Sequence, residues 1–255
     1  MKLALVTGAS SGIGAGAARH LSLLGYQVIL VARRAPQLGE VAGQIGDKAV
    51  AEVCDASSSA EVLELGERVS RIYGVPNVIV HCAGAGSWKR IEETTPTEAA
   101  QMTQAPYLAA FNVTHVFMRG MLARRSGVII HVNSPASICP WPSSVGYAAT
   151  RWALRGLHES LCQDLAGTGV KSCHVVFGRT NAGYFDHNGV SASDVPRIAG
   201  TVPTLSSEKC GRIIARIAEH PRRDSMYPFM LRFYGWLYRL CPPLVRWSLR
   251  FTGKT

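Results

Sequence analysis

The sequence predicts an α/β protein whose parallel sheet is covered by helices on both faces. The first observation is an alternation of short apolar runs with longer amphipathic stretches along most of the 255 residues, the order expected of strands joined by crossover helices. The second is that the apolar runs are continuous, as in strands buried on both faces. Ligands of such folds bind beyond the carboxyl ends of the strands, so the residues that follow each strand are the candidates for function.

The elements follow one another in a regular order. The first apolar run, "LALVT", predicts a strand, and the stretch from about Gly12 to Leu24 predicts a helix. Four further strands are each followed by helical material: "QVILVA" by about Pro36 to Ile45, "AVAEVC" by Ser59 to Tyr73, "NVIVHCA" by Thr97 to Arg124, and "GVIIHVN" by Tyr147 to Leu165. A sixth strand is predicted at "VKSCHVVFG". We expect one domain over residues 1–225 and a helical extension over 226–255.

Composition excludes several classes of protein. Hydrophobic residues make up 47% of the chain, as in globular proteins, and we find no internal repeat. The opening run "MKLALVTG" meets a glycine too soon for a signal peptide. The seven cysteines form no CxxC pair and the eight histidines form no HExxH motif. We therefore expect reduced thiols, a cytoplasmic location and no metal site. The net charge of +10 comes without a nucleic-acid recognition motif, so no nucleic acid partner is expected.

The segment after the first strand, "TGASSGIG", has the form of a phosphate-binding turn. Gly8 permits a tight turn, and Gly12 and Gly14 allow the backbone and the helix to approach closely. The helix start offers N–H groups and the positive end of its dipole to a pyrophosphate. A purely structural turn is the alternative. The residues predicted to bind a dinucleotide here are Gly8, Ser10, Ser11, Gly12, Ile13 and Gly14.

The end of the second strand indicates which dinucleotide is bound. An NAD site has a carboxylate there for the ribose hydroxyls, whereas this chain has Arg33 and Arg34. Two guanidinium groups suit the 2′-phosphate of NADP(H), with which they form charge-assisted hydrogen bonds. A solvated basic strand end is the alternative. Asp55, after the third strand, is either an acceptor for the adenine amino group or an ordinary turn residue.

Three polar residues predict a hydride-transfer site. Ser134 ends the fifth strand, Tyr147 follows thirteen residues later, and Arg151 lies one helical turn beyond Tyr147 on the same face. A serine hydroxyl can bond a substrate oxygen, and a tyrosine can give or take its proton. A neighbouring cation favours the ionised phenol. The alternative is that Tyr147 and Arg151 are ordinary helix residues.

The chain resembles the short-chain dehydrogenase/reductase family over nearly its whole length. The matching features are "TGASSGIG", the basic "ARR", "HCAG", the spacing from Ser134 to Tyr147, and "YAATRWAL". The resemblance implies a Rossmann-type domain, a nicotinamide dinucleotide cofactor, and reversible interconversion of an alcohol and a carbonyl compound. It also implies that Ser134 polarises the substrate and that Tyr147 acts as the acid and base.

The resemblance extends to further contacts. It implies that Ala83 and Gly84 of "HCAG", Thr180 after the sixth strand, and also Tyr147 and Arg151 lie against the cofactor. It also implies a homodimer or homotetramer formed through the helices that contain Phe111 and Tyr147.

Two positions depart from the family pattern. Arg151 stands where the family has lysine, and Pro106 stands where it usually has asparagine. A unit charge about 4 Å away supplies about 4 kcal/mol at an effective dielectric near 20, which matches the roughly 4 kcal/mol needed to make a phenol work near neutral pH. Two functions follow. The first is an NADP(H)-dependent oxidoreductase for a hydrophobic ketone, aldehyde or secondary alcohol, and the second is a non-catalytic NADPH-binding scaffold or sensor.

The stretch 183–204 has little periodicity, and we expect it to form a substrate lid. Trp141, Tyr184 and Phe185 are candidates for an apolar pocket, with plain packing as the alternative. Cys139 lies near the site in sequence, and we expect an inert thiol.

The tail is basic and aromatic. Between His220 and Thr255 there are seven Lys or Arg residues and a single acid, Asp224. Residues 228–251 form two helical pieces, each too short to span a bilayer. They suit an interfacial helix on an anionic membrane, which would place the protein at the inner face of a membrane and favour a lipophilic substrate. Docking against the chain's own domain or a partner subunit is the alternative.

Overall fold

A computed structural model of the chain describes residues 2–84, 86–181 and 195–250. Its centre is a parallel sheet. The strands are β1 (Lys2–Thr7), β2 (Tyr26–Ala32), β3 (Ala49–Val53), β4 (Val78–His81), β5 (Gly127–Asn133), β6 (Val170–Phe177) and β7 (Asp224–Tyr227). They lie in the order β3-β2-β1-β4-β5-β6-β7. The chain therefore winds outward from β1 in both directions, and a crevice forms where the order reverses, between β1 and β4.

Helices cover the sheet, and they are numbered here over the described residues. They are α1 (Gly12–Leu23), α2 (Ala35–Ile45), α3 (Ser59–Ile72), α4 (Pro96–Thr103), α5 (Ala109–Arg124), α6 (Val145–Asp164), α7 (Ser207–Glu219), α8 (Phe229–Leu240) and α9 (Pro242–Arg250). None of them is long and apolar enough to cross a membrane, as far as the described residues go.

The core has two layers because consecutive residues of a strand point to opposite faces. In β1, Val6 packs with Leu21 of α1 and with residues of α2 and α7. Its neighbour Leu5 packs on the other face with Leu65 of α3 and Phe117 of α5. Helices therefore lie on both faces of the sheet, and the doubly wound α/β class predicted from the sequence is confirmed.

Two elements were not predicted. The helix α7 is strongly amphipathic. Ser206 caps its N-terminus, because the Ser206 hydroxyl accepts a hydrogen bond from the Lys209 N–H at 3.1 Å. The strand β7 has four residues and pairs with β6 alone. Its sequence, "DSMY", contains no continuous apolar run, which is why no strand was predicted there. It spans the boundary between residues 225 and 226 that the sequence suggested for the end of the domain.

The helix predicted from Thr97 to Arg124 is interrupted. A π-helical turn, Gln104–Leu108, separates α4 from α5. It contains Pro106, which has no N–H to donate to the preceding turn, and an inserted residue of this kind is a recurrent way to absorb that loss.

Candidate active site

One cavity of about 830 Å³ opens beyond the carboxyl ends of the central strands. Its size suits a cofactor or a small ligand. Its walls include every site residue predicted from the sequence. These are Gly8, Ser10, Ser11, Gly12, Ile13, Gly14, Arg33, Arg34, Asp55, Ala83, Gly84, Ser134, Tyr147, Arg151 and Thr180. The structure therefore brings the predicted nucleotide and catalytic residues to one place.

The glycines of the turn pack closely against other main-chain atoms. Gly8 has a φ of +66°, and a Cβ there would lie 2.8 Å from the backbone nitrogen of Ala83. A Cβ on Gly14 would lie 2.2 Å from the carbonyl oxygen of Gly8. Neither position can hold a larger residue without moving the turn, because both partners are main chain.

The start of α1 is arranged to bind an anion. Ser11, which precedes the helix, accepts a hydrogen bond from Nη2 of Arg34 at 2.8 Å and does not cap the helix through its side chain. The same nitrogen donates to Ser10 at 3.0 Å. The first N–H groups of α1 and a guanidinium thus border the same part of the cavity, and these groups fit the phosphates of a dinucleotide.

Arg33 and Asp55 lie at the edge of the cavity. The Arg33 side chain is 68% exposed, and its Nη1 is 3.8 Å from Oδ2 of Asp55. The other carboxylate oxygen of Asp55 accepts from both the N–H and the hydroxyl of Ser57. Asp55 therefore has the contacts of a turn residue as well as a place in the cavity wall.

Ser134 is fixed by a tight turn at the end of β5. Its N–H donates to Oδ1 of Asn133 at 2.9 Å, and its hydroxyl accepts from the N–H of Ala136 at 3.3 Å. Its carbonyl accepts from the hydroxyl of Ser137 at 2.7 Å. The turn presents the Ser134 side chain to the cavity.

Tyr147 and Arg151 form a buried pair on α6. Their exposed fractions are 4% and 6%. The guanidinium carbon of Arg151 lies 4.9 Å from the centre of the Tyr147 ring. A Cβ on Gly84 would lie 2.6 Å from Nη2 of Arg151. The absence of a side chain at residue 84 therefore makes room for the guanidinium.

Two tryptophans close around the phenol. The ring centres of Trp88 and Trp141 lie 5.8 and 6.2 Å from that of Tyr147, and 4.8 Å from each other. Both line the cavity. Trp141 was a candidate in the sequence, whereas Trp88 was missed because a lone tryptophan in a loop gives no spacing signal.

Pro106 is buried and lies behind the cavity wall rather than in it. The neighbouring Gln101 and Gln104 line the cavity instead. Sequence reasoning missed both glutamines, because only the π-helical turn determines which side chains of this segment face inward.

A hydrogen-bond network that the sequence did not predict adjoins the turn at Ser134. Nδ2 of Asn133 donates to the backbone oxygen of Arg151 at 3.0 Å and lies 3.0 Å from Nε2 of His174. An amide nitrogen only donates, so we assign Nε2 of His174 as the acceptor. The remaining His174 nitrogen, Nδ1, then carries the proton and faces Oδ1 of Asp224 at 3.4 Å. Asn133 thus connects Ser134 and Arg151 to an edge strand of the sheet.

His174 belongs to a row of histidines across the sheet. His81, His131 and His174 are register partners on β4, β5 and β6, and Asp224 of β7 is the next partner. His158 of α6 stacks on His174, with ring centres 5.3 Å apart. Side chains in register point to the same face, so the row forms a polar layer inside the core.

Burial keeps most of this row neutral. It lowers the pKa of His81 to about 3 and that of His158 to about 4. It also lowers the pKa of His131 well below its usual value, with His81 as the next contributor. Among the described residues, neither ring nitrogen of His131 has a hydrogen-bond partner.

The remaining candidates lie around the mouth of the cavity. Burial raises the pKa of the Cys139 thiol to about 11, which disfavours the reactive thiolate. Of the expected lid, residues 183–194 lie outside the described part of the chain, as do Tyr184 and Phe185. The described remainder contributes Pro196, Ile198, Ala199 and Val202 to the cavity wall.

The C-terminal helices also line the cavity. The residues involved are Leu231, Tyr234, Gly235, Tyr238, Val245 and Leu249. Their spacing within each helix places them on one face, and a hydrogen bond of 2.7 Å joins Tyr234 to Thr201. The extension therefore docks on its own domain through that face.

Comparison with known proteins shows which families of sequence and structure this chain is similar to. The short chain dehydrogenase family model matches residues 2–188. An uncharacterised oxidoreductase of Mycobacterium tuberculosis is 29% identical over 235 residues, which cover 91% of this chain and 90% of that protein. A short-chain dehydrogenase structure from Streptomyces avermitilis superposes with a TM-score of 0.81 at 24% identity, covering 97% and 96% of the two chains. A metagenomic short-chain oxidoreductase in complex with NADP gives 0.75 at 26% identity, covering 88% and 96%.

Proposed function

The chain belongs to the short-chain dehydrogenase family and is an oxidoreductase of that family, and we propose that it interconverts a lipophilic carbonyl compound and its alcohol with NADP(H). The observation that carries the proposal is the buried contact of Tyr147 with Arg151, in the same cavity as the glycine turn and Ser134. A tyrosine beside a cation, next to a nucleotide site, is suited to moving a hydroxyl proton.

The residues have separate tasks in this reaction. The glycine turn and the start of α1 hold the pyrophosphate, and the bound cofactor supplies or accepts the hydride. Ser134 binds the substrate oxygen with its hydroxyl. Tyr147 gives a proton to that oxygen in reduction and takes it in oxidation. Trp88 and Trp141 exclude water from the phenol.

Arg151 provides the electrostatics of the site. A unit charge at the 4.9 Å that separates its guanidinium carbon from the Tyr147 ring centre is worth about 3 kcal/mol at an effective dielectric near 20. Arg151 therefore places a positive charge against the Tyr147 side chain. Arg151 is 6% exposed, so solvent screens this interaction little. An arginine stays protonated and cannot itself relay a proton, so its task is to hold charge and position.

The preference for NADP(H) rests on Arg33 and Arg34. Arg34 is held in place by Ser10 and Ser11, and Arg33 is largely exposed beside it. Two such groups suit a ribose 2′-phosphate. The solved metagenomic relative was crystallised with NADP, which supports the same choice.

The substrate is lipophilic in this proposal. The part of the cavity wall formed by residues 196–202 and by the C-terminal helices consists largely of aromatic and aliphatic side chains. Walls of this kind bind apolar groups and leave orientation to a few polar atoms, here those of Ser134 and Tyr147.

A homodimer or homotetramer is part of the proposal. Phe111 of α5 and Trp152 of α6 are 45% and 46% exposed. Large apolar side chains on neighbouring helices suit an interface between subunits. Light scattering of wild type and of Trp152→Gln measures the mass and its dependence on this surface.

A non-catalytic NADPH-binding scaffold is the second candidate, favoured by Arg151 and Pro106. The test is NADPH oxidation by wild type and Arg151→Lys with medium-chain aldehydes, aryl ketones and steroid ketones. Turnover by wild type that falls in the variant supports a pocket adapted to arginine. A large gain in the variant indicates impaired chemistry in the wild type. Absence of turnover in both, with NADPH still bound, supports the scaffold.

A further inference from the structure

The helices α8 and α9 have two apolar faces. One face lines the cavity, as described above for Tyr234 and Val245. The other is largely exposed to solvent. Its residues are Phe229, Phe233, Trp236, Leu240, Leu244 and Trp247, called here the outer stripe. A helix that is apolar on both sides needs a second apolar environment.

The outer stripe is continuous. On α8 its members follow one another at intervals of four, three and four residues, which places them on one line along the helix. On α9, Leu244 and Trp247 are three residues apart and share one exposed face. Phe229 is 77% exposed, Leu240 is 63% exposed and Trp247 is 58% exposed. A row of six large side chains is a patch rather than the scattered exposure of ordinary surfaces.

The charged residues of the two helices are all positive. Arg232, Arg239, Arg246 and Arg250 lie between residues 225 and 250, and this segment contains no Asp or Glu. Arg232 and Arg239 are seven residues apart and lie on the flank of the stripe on α8. All four are exposed. The surface thus combines aromatic and aliphatic side chains with a flank of permanent cations.

These features select between two partners. A second copy of the chain docked through this stripe would bring arginines together with no acid from either stripe to pair with them. A lipid bilayer with anionic headgroups offers apolar depth to the stripe and negative charge to its flank. We propose that α8 and α9 dock the protein on an anionic membrane surface. The inner face of the same two helices lines the cavity, so docking places the cavity beside the lipid.

The inference goes beyond the proposed reaction, because binding to lipid can be measured without catalysis. The experiment is co-sedimentation of the full chain with vesicles of phosphatidylcholine, with and without phosphatidylserine. The variant F233Q/W236Q/L240Q removes the middle of the stripe at exposed helix positions, where glutamine preserves helix propensity. The matched control, L63Q/I72Q, removes two exposed aliphatic side chains of α3.

The expected result is that wild type and the control bind phosphatidylserine vesicles equally, while the stripe variant binds about tenfold more weakly or less. R239Q/R250Q loses about fivefold per arginine, and R71Q/K171Q, which removes the same charge elsewhere, loses less. Binding of NADPH, followed by its fluorescence, stays unchanged in all variants. A failure of this inference therefore differs from a failure of the proposed reaction.

Three results overturn the proposal. One is wild type that remains in solution with phosphatidylserine vesicles. Another is a stripe variant that binds them as wild type does. The third is a wild-type assembly, measured by light scattering, that the stripe variant alone dissociates, since the stripe would then be an interface between copies.

Discussion

The two sides of the cavity that we propose to bind the nucleotide and to carry the catalytic residues, called here the nucleotide side and the catalytic side, are built in different ways. The nucleotide side is a turn of contiguous residues in which Gly8 and Gly14 meet other main-chain atoms. The catalytic side joins side chains from β5 and α6, and Arg151 there lies against Gly84, a residue far away in sequence. One side depends on the close approach of main-chain atoms and the other on the packing of side chains.

The difference teaches which changes each side tolerates. A backbone turn accepts few replacements at its glycines, and its shape does not depend on the chemistry of its neighbours. A buried side-chain pair depends on neighbours that leave room for it, as Gly84 does for the guanidinium of Arg151. The two sides should therefore fail separately when they are mutated.

The largest expected separation comes from Tyr147→Phe. Removing the phenolic hydroxyl takes away the proton donor, and we expect kcat to fall by about 10²- to 10⁴-fold. NADPH binding should change far less than kcat, because the glycine turn and Arg34 remain in place in the variant. Steady-state kinetics and a fluorescence titration with NADPH measure the two effects. Tyr73→Phe, outside the cavity, serves as the control. A parallel loss of cofactor binding would contradict the separation.

Arg34→Ala probes the nucleotide side. Loss of one charge-assisted contact to a phosphate costs about 1.5–3 kcal/mol, so NADPH affinity should fall by about 10- to 150-fold while NADH affinity changes little. Calorimetry with both cofactors measures the ratio. The exposed Arg71→Ala, on α3, controls for net charge. An equal loss for both cofactors would assign Arg34 to the turn rather than to the 2′-phosphate.

The histidine row, which contacts Asn133 through His174, predicts that the free energy of unfolding depends on pH. His81, His131 and His158 have lowered pKa values in the folded protein, so the unfolded chain binds more protons below about pH 6.5. The free energy of unfolding therefore falls as the pH drops from about 6.5 towards 4. Each histidine contributes up to about 2 kcal/mol between pH 7 and pH 5.

His131→Leu isolates one member of the row. We expect the loss of stability between pH 7 and pH 5 to shrink by about 2 kcal/mol, measured by urea denaturation at both pH values. Ile129→Leu, at a buried position of the same strand, removes no titratable group and should leave the pH dependence unchanged. A His131→Leu protein with the pH slope of wild type would show that His131 is not kept neutral by burial.

Sequence patterns predicted the parts whose physics is local. The apolar runs of β1, β2 and β4 to β6 and the glycine turn depend on neighbouring residues, so their positions were predicted from the sequence. The strand β7 was missed because four residues on an edge give no periodic signal. The contacts of Asn133 with His174 and of Arg151 with Gly84 were also missed, because only the register of the sheet brings these residues together.

The C-terminal tail also shows what sequence patterns could not predict. The two interpretations of residues 226–255, membrane contact and docking on the chain's own domain, were posed as alternatives. The structure shows that one face of α8 and α9 lines the cavity, whereas the outer stripe is exposed. Helical spacing separates the two faces, but it does not indicate which face the domain covers.

The most direct test of the account is the rate of carbonyl reduction by wild type and Arg151→Met. The proposal gives Arg151 the task of holding positive charge against Tyr147, and a unit charge at their separation of 4.9 Å is worth about 3 kcal/mol at an effective dielectric near 20. We therefore predict that kcat falls by about 10²-fold in the variant, while the variant still binds NADPH in a fluorescence titration. A folded Arg151→Met protein with the kcat of wild type would contradict the role assigned to Arg151.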